Sequence, residues 1–263
     1  MFRTLPPVFK AELRHQRFLI QQGRVGVIWI VLAALLLIPA GLAALHYMRL
    51  LWMGAEDVFE VAQGIVAAEG VWVGALLVGS ISLYAVVTLI TYGLAANSIL
   101  RERRGRTWDS LQLTHAPTWQ ILLGKWLASL RAVLGDHALS ILLQMGLISL
   151  AGLLLPALMA EAAPPSPIKA LVAWGWMLAA GLLDAGLSAA LGVVSALPEG
   201  AASAVAGLLL LAVRIAVSVG VLAWSAWIAA SAPIEGVSLA VLGCAIYLGL
   251  IGAALWVGGW QLR

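Results

Sequence analysis

The sequence predicts an all-α integral membrane protein: six transmembrane helices, an amphipathic interfacial helix before the first, and a polar helical loop between spans two and three. Three observations carry this reading. Of 263 residues, 63% are hydrophobic and 10% charged, where a soluble domain carries roughly a quarter charged. The apolar residues form long runs of Leu, Ala, Val and Ile without alternation. Backbone groups in lipid must bond within the protein, and unalternating runs meet that requirement as helices, not as barrel strands. The basic residues cluster beside apolar runs, so the net charge of +3 is a topology signal and not a nucleic-acid patch. Cys244 is the single cysteine, which excludes an intrachain disulfide and a cysteine metal cluster.

Residues 1–24 form the first element. After Pro6-Pro7, the residues Lys10, Arg14, Arg17 and Gln21 share one helical face, and Phe9, Leu13 and Ile20 share the opposite one. That pattern predicts a cytoplasmic amphipathic helix lying in the membrane interface; a solvated basic tail is the plainer reading. Residues 25–263 follow as one transmembrane domain. Span one covers Val25 to Tyr47, too long for a signal-peptide core. The acidic interval from Arg49 to Gly70 has room for a short helix presenting Val58, Val61, Ala62 and Ile65. Span two covers Val71–Ala96, span three Trp126–Leu158, span four Ala170–Ala196, span five Ala201–Ala230 and span six Val237–Trp260. Pro164, Pro165 and Pro167 mark the linker before span four, and Leu197-Pro198-Glu199-Gly200 marks the turn before span five.

Basic residues fix the orientation. Only Arg49 and Lys169 fall on one side, whereas both termini and the interval Asn97–Lys125 collect nearly all the others. Those segments are therefore cytoplasmic. Trp52, Trp72, Trp174, Trp176, Trp224 and Trp227 then fall near outer span ends, and Trp29, Trp126, Trp256 and Trp260 near inner ends, as interfacial belts require.

The interval NSILRERRGRTWDSLQLTHAPTWQILLGK, residues 97–125, is the longest polar stretch. Ser98 is placed to cap a short helix whose apolar side is Ile99, Trp108 and Leu111. His115-Ala116-Pro117 breaks the chain before a second helical start at Thr118. Helix, break, helix predicts a protruding knob. A loop that merely fixes topology is the bland alternative.

In register, Arg101-Glu102-Arg103, Arg106-Thr107, Asp109, Leu111, Leu113, Thr114, Pro117, Ile121 and Gly124-Lys125 resemble the cytoplasmic coupling segment of ABC-2 type transporter permeases. That family's pattern is an E-R-E-x-G-T-L-E-like helix, a leucine-rich turn, a Pro and a closing G-K. Two departures stand out: Arg106 occupies the place of the family's Gly, with Gly105 one position early, and the linker Ser231–Gly236 is too short for the re-entrant outer helices many members carry. The resemblance implies a permease subunit whose coupling helix docks on a separate ATPase subunit. It implies Glu102, Arg103, Thr107, Trp108 and Asp109 as coupling residues, and a homodimer or a related heterodimer of permeases. ATP and Mg would belong to the partner, since no G-x-x-x-x-G-K-[ST] phosphate loop occurs in this chain.

Charges inside spans are costly and mark function by default. Asp184 in span four and Arg214 in span five lie at similar distances from the Pro198 turn. In a tight hairpin they meet near the midplane, as a structural ion pair or as a substrate or gating contact. Ser80, Tyr84, Thr88 and Thr91 make one polar face of span two, which lines a path or packs against a second subunit. Gly74 and Gly79 permit close approach there. Asp136 and His137 enter span three at a hydrated end. Enzyme and metal-binding motifs are absent, and His15, His46, His115 and His137 are dispersed. The expected function is an exporting permease in the cell inner (plasma) membrane, surrounded by membrane lipids and binding no nucleic acid. A non-transporting scaffold subunit of a larger membrane complex is the alternative.

Overall fold

The computed structural model describes residues 7–23, 26–53, 58–108, 111, 117–158, 167–198, 201–230 and 233–261. Among the described residues there is no strand, and seven helices follow in order: α1 (Pro7–Gly23), α2 (Gly26–Met53), α3 (Val58–Arg104), α4 (Thr118–Leu158), α5 (Pro167–Ser195), α6 (Ala201–Ala230) and α7 (Pro233–Gln261). Helices α3 to α7 each contain a stretch long and apolar enough to cross a membrane, which makes five candidate spans among the described residues. Helix α2, at the place of the first of the six expected spans, is an apolar helix of 28 residues, and Leu35–Arg49 is its described apolar stretch.

The bundle is built around α5. Every residue from Asp184 to Leu197 is buried, and α3, α4, α6 and α7 surround the helix. Small residues allow this closeness, since association in lipid depends on packing and not on a hydrophobic gain. A Cβ on Gly192 would run into the carbonyl of Tyr92 on α3, one on Gly181 into Ile141 on α4, and one on Gly243 of α7 into Trp176. Elsewhere α2 crosses α4 where Ala40 lies over Gly146, and it turns Leu35, Ile38, Leu42 and Leu45 outward. In contrast α6 is held by few fully buried residues; among those described only Arg214 and Ile228 are buried, while Leu210, Val217, Val221 and Trp224 pack half-buried against the core.

Several expected boundaries move. The acidic interval contributes no separate helix from Val58: those residues are the first turns of α3, which continues for 47 residues, about 70 Å at 1.5 Å per residue. Ser98 caps nothing. It lies within α3 and its hydroxyl donates to the carbonyl of Ala95 at 2.7 Å, a bond available inside a helix to any serine. The polar loop is thus the end of α3, an interval in which Trp108 and Leu111 are helical with the Leu111 N–H on the carbonyl of Thr107 at 2.9 Å, and the start of α4, which begins at Thr118 after Pro117 as expected. Gly79 does meet α2, with Leu36 Cδ2 2.8 Å from where a Cβ would stand, whereas Gly74 meets nothing. Two tryptophans expected in the belts are packed inside: Trp126 donates to the carbonyl of Gly186 at 2.8 Å, and the buried Trp176 donates to Ser225 Oγ at 2.8 Å. Trp256 and Trp260 are exposed as a belt requires.

Candidate functional site

Two polar centres lie within this apolar bundle, one where α1, α3 and α4 meet and one at mid-bundle. The first is organised by Glu12 on α1, whose side chain is 3% exposed. It accepts from Arg101 Nη2 of α3 at 2.7 Å and from Lys125 Nζ of α4 at 3.1 Å. Lys125 is fully buried, yet its ammonium has an acceptor for each of its three protons: Glu12, the carbonyl of Ser98 at 2.8 Å, and Glu102 Oε1 at 3.4 Å. Gln16, one turn beyond Glu12, donates to Glu12 Oε1 at 3.1 Å and to Ser129 Oγ of α4 at 2.9 Å. A buried ammonium without such partners would cost several kcal/mol. Glu12 and Gln16 therefore bind α1 onto the bundle, and its inward face is Phe9, Glu12 and Gln16, not the wholly apolar stripe read from sequence.

Glu102 extends this hub outward. Its Oε1 accepts from Arg101 Nη2 at 3.2 Å, and its Oε2 accepts from the Thr107 hydroxyl. Helix α3 closes here with the N–H of Thr107 on the carbonyl of Glu102 at 2.9 Å and the N–H of Arg106 on that of Arg103 at 3.1 Å. That nested pair is a Schellman motif, and it requires a left-handed residue at the position Arg106 holds, with φ 53°. Such a position favours glycine. Gly105 thus lies one position before the left-handed site, and Arg106 holds the glycine-like conformation.

Arg103 turns the other way. Its Nη1 donates to the carbonyl of Pro198 at 2.9 Å and its guanidinium lies 5.9 Å from the centre of the Trp108 ring. Trp108 is buried against Ile99, Ile121, Leu122, Val193 and Leu197. The expected protruding knob is therefore folded back at this point: Trp108 fastens the connection to α3, α4 and α5, while Arg104, Arg106 and Thr107 stay exposed. Asp109 lies outside the described residues. A cleft of about 710 Å³ opens beside Trp108 between the ends of α3 and α5 and the start of α6.

The second centre joins four helices. Arg214 of α6 and Asp184 of α5 are ion-paired, 1% and 5% exposed by side chain. Tyr84 of α3 donates to Asp184 Oδ2 at 2.9 Å and Tyr247 of α7 to Asp184 Oδ1 at 2.8 Å. Arg214 also donates from Nε to Ser188 Oγ at 2.8 Å, from Nη1 to Ser218 Oγ at 2.7 Å and from Nη2 to Tyr84 Oη at 2.9 Å. Both charges are thus saturated with partners, as burial in a low-dielectric interior demands. Tyr247 gave no signal in the sequence, because a single tyrosine in an apolar run has no pattern to betray it.

The face Ser80, Tyr84, Thr88 and Thr91 turns into this chain and not toward a second subunit. Ser80, Thr88 and Thr91 are buried; Thr91 Oγ1 lies 2.8 Å from His137 Nε2 and donates to the carbonyl of Val87 at 2.7 Å. Ser80 Oγ and Thr88 Oγ1 have no hydrogen-bond partner. His137 is 2% exposed, so it braces α3 against α4 instead of marking a hydrated entrance. Glu12 was also missed in the sequence, although it is the first acidic residue in a strongly basic segment and shares a helical face with Phe9 and Gln16. Among the described residues no group of three or more His, Cys, Asp or Glu is arranged to hold a metal ion. Comparison with protein-family models, curated proteins and solved structures finds no match.

Proposed function

We propose that this chain is the membrane-spanning permease subunit of an ATP-driven ABC-2 type exporter, with six spans, both termini cytoplasmic, in the cell inner membrane. Two permeases, identical or related, would work above two ATPase subunits that hold ATP and Mg. The observation that carries the proposal is the bonding of Glu102. One carboxylate oxygen meets Thr107 at the exposed tip, and the other meets Arg101 and Lys125 in the buried hub. A push on the tip is therefore transmitted to α1, α3 and α4 together. A loop that only fixed topology would need exposed positive charge, not a lysine with no exposure and three acceptors. Glu102, Arg103 and Trp108 act in this reading by fixing the tip to the bundle, and the exposed Gly105 and Thr107 supply the surface a partner touches.

Thr107 is exposed, so a photoreactive residue in its place leaves the hub's charges intact. Irradiation of native membranes should join this position to a chain bearing a phosphate loop. Adducts confined to other integral membrane chains would instead make the protein a scaffold subunit that transports nothing.

A further inference from the structure

The cleft beside Trp108 has a charged mouth and an apolar interior. Arg103, Arg104 and Arg106 line the mouth with Ser195 and Ser203. Among the described residues no carboxylate is paired with any of the three arginines. Arg103 has a buried Nε without a hydrogen-bond partner, a donor whose desolvation nothing offsets. Behind the mouth, Leu100, Ala96 and Tyr92 continue down α3 while Ala204 and Gly207 face them from α6. The floor is closed where the Tyr92 hydroxyl donates to the carbonyl of Gly207 at 2.9 Å. From Arg104 to Tyr92 is about 18 Å of helix, close to the roughly 15 Å half-thickness of a bilayer's hydrocarbon core.

We infer that this cleft binds an anionic phospholipid, its phosphate held by Arg103, Arg104 and Arg106 and one acyl chain lying between α3 and α6. The two parts of the cleft require an amphiphile: a free anion uses only the arginines, and a neutral lipid leaves them unmatched. Its position at the ends of α3 and α5 places the phosphate at headgroup depth, where basic side chains favour anionic lipids. The lipid would wedge α6, a helix with few buried side chains, against the rest of the bundle. This inference stands independently of transport.

Native mass spectrometry of the purified chain, exposed to equal amounts of phosphatidylglycerol and phosphatidylcholine, reads the preference directly. Phosphatidylglycerol should be retained over phosphatidylcholine by about tenfold or more, as an arginine near an anionic surface contributes about a factor of five. The exposed pair Arg104→Gln with Arg106→Gln should abolish that preference with the melting temperature held. Ala204→Trp, which fills the acyl portion and leaves the arginines, should lose the lipid too. Equal retention of the two lipids, or a preference unchanged in the double variant, overturns the inference. So does inorganic phosphate at millimolar concentration displacing the lipid and binding equally to wild type and Ala204→Trp, which would make the mouth a free-anion site.

Discussion

Arg106 shows how one side chain departs from what its backbone position favours. A non-glycine residue in the left-handed region costs roughly 1–2 kcal/mol, and Arg106 adopts it because the Schellman closure of α3 demands it. Arg106→Gly should therefore raise stability by about 1 kcal/mol, even after the entropy that glycine adds to the unfolded chain; a lower melting temperature in detergent would refute this. The Asp184–Arg214 pair makes a different case. Removing either partner leaves a buried charge, at about 3–5 kcal/mol, so Asp184→Ala and Arg214→Ala should each melt the protein early. Replacing both with Leu and Met should cost much less than the sum of the singles. Strict additivity would mean that the two side chains do not interact. The pair was readable in the sequence because both charges lie at matched distances from one turn, whereas their four hydroxyl partners were not: serines and tyrosines in spans serve packing as often as polar networks.

At the scale of elements, helix positions were readable, and a helix end was readable only where a proline or turn marks it, as at Thr118 after Pro117 and at Ala201 after the Pro198 turn. Continuous apolar runs located α3 to α7, but nothing in composition separates Val58–Gly70 or Asn97–Arg104 from α3, because Glu, Arg and Gln are good helix formers beside lipid and in water alike. The same blindness affected α1. Its basic stripe was plain, but a helix docked on a protein looks like one resting on lipid until its lone acid finds cations on α3 and α4. Glu12→Gln removes that charge and leaves Lys125 with one anionic partner. The expected result is that α1 releases from α4 while the bundle persists, seen as rapid protease cleavage or fast hydrogen exchange confined to residues 7–23. Protection equal to wild type would show that apolar contacts at Phe9 suffice. Where α5 crosses α3, Gly192 stands against the backbone of Tyr92, which cannot yield as a side chain can. Gly192→Ala should thus destabilise by about 1–3 kcal/mol through overpacking, and a neutral result would mean the two helices have room to part.

Across the whole molecule the polar groups divide by depth. At mid-bundle, Asp184, Arg214, Tyr84 and Tyr247 tie together α3, α5, α6 and α7. At one end, Glu12, Arg101, Glu102 and Lys125 tie α1, α3 and α4 to an exposed tip. Helix α3 runs through both centres, so displacement of the tip reaches the ion pair along a single rigid element. That arrangement suits a bundle that is rocked from one end, and it gives the proposed coupling segment a route that no loop of basic residues would need. Purifying the protein from its native membrane in mild detergent and identifying the accompanying chains tests this account most directly. A co-purifying chain with a phosphate loop, whose ATP hydrolysis falls on Glu102→Ala while the bundle stays folded, is the predicted result. Recovery of other membrane subunits with no ATPase among them would contradict it.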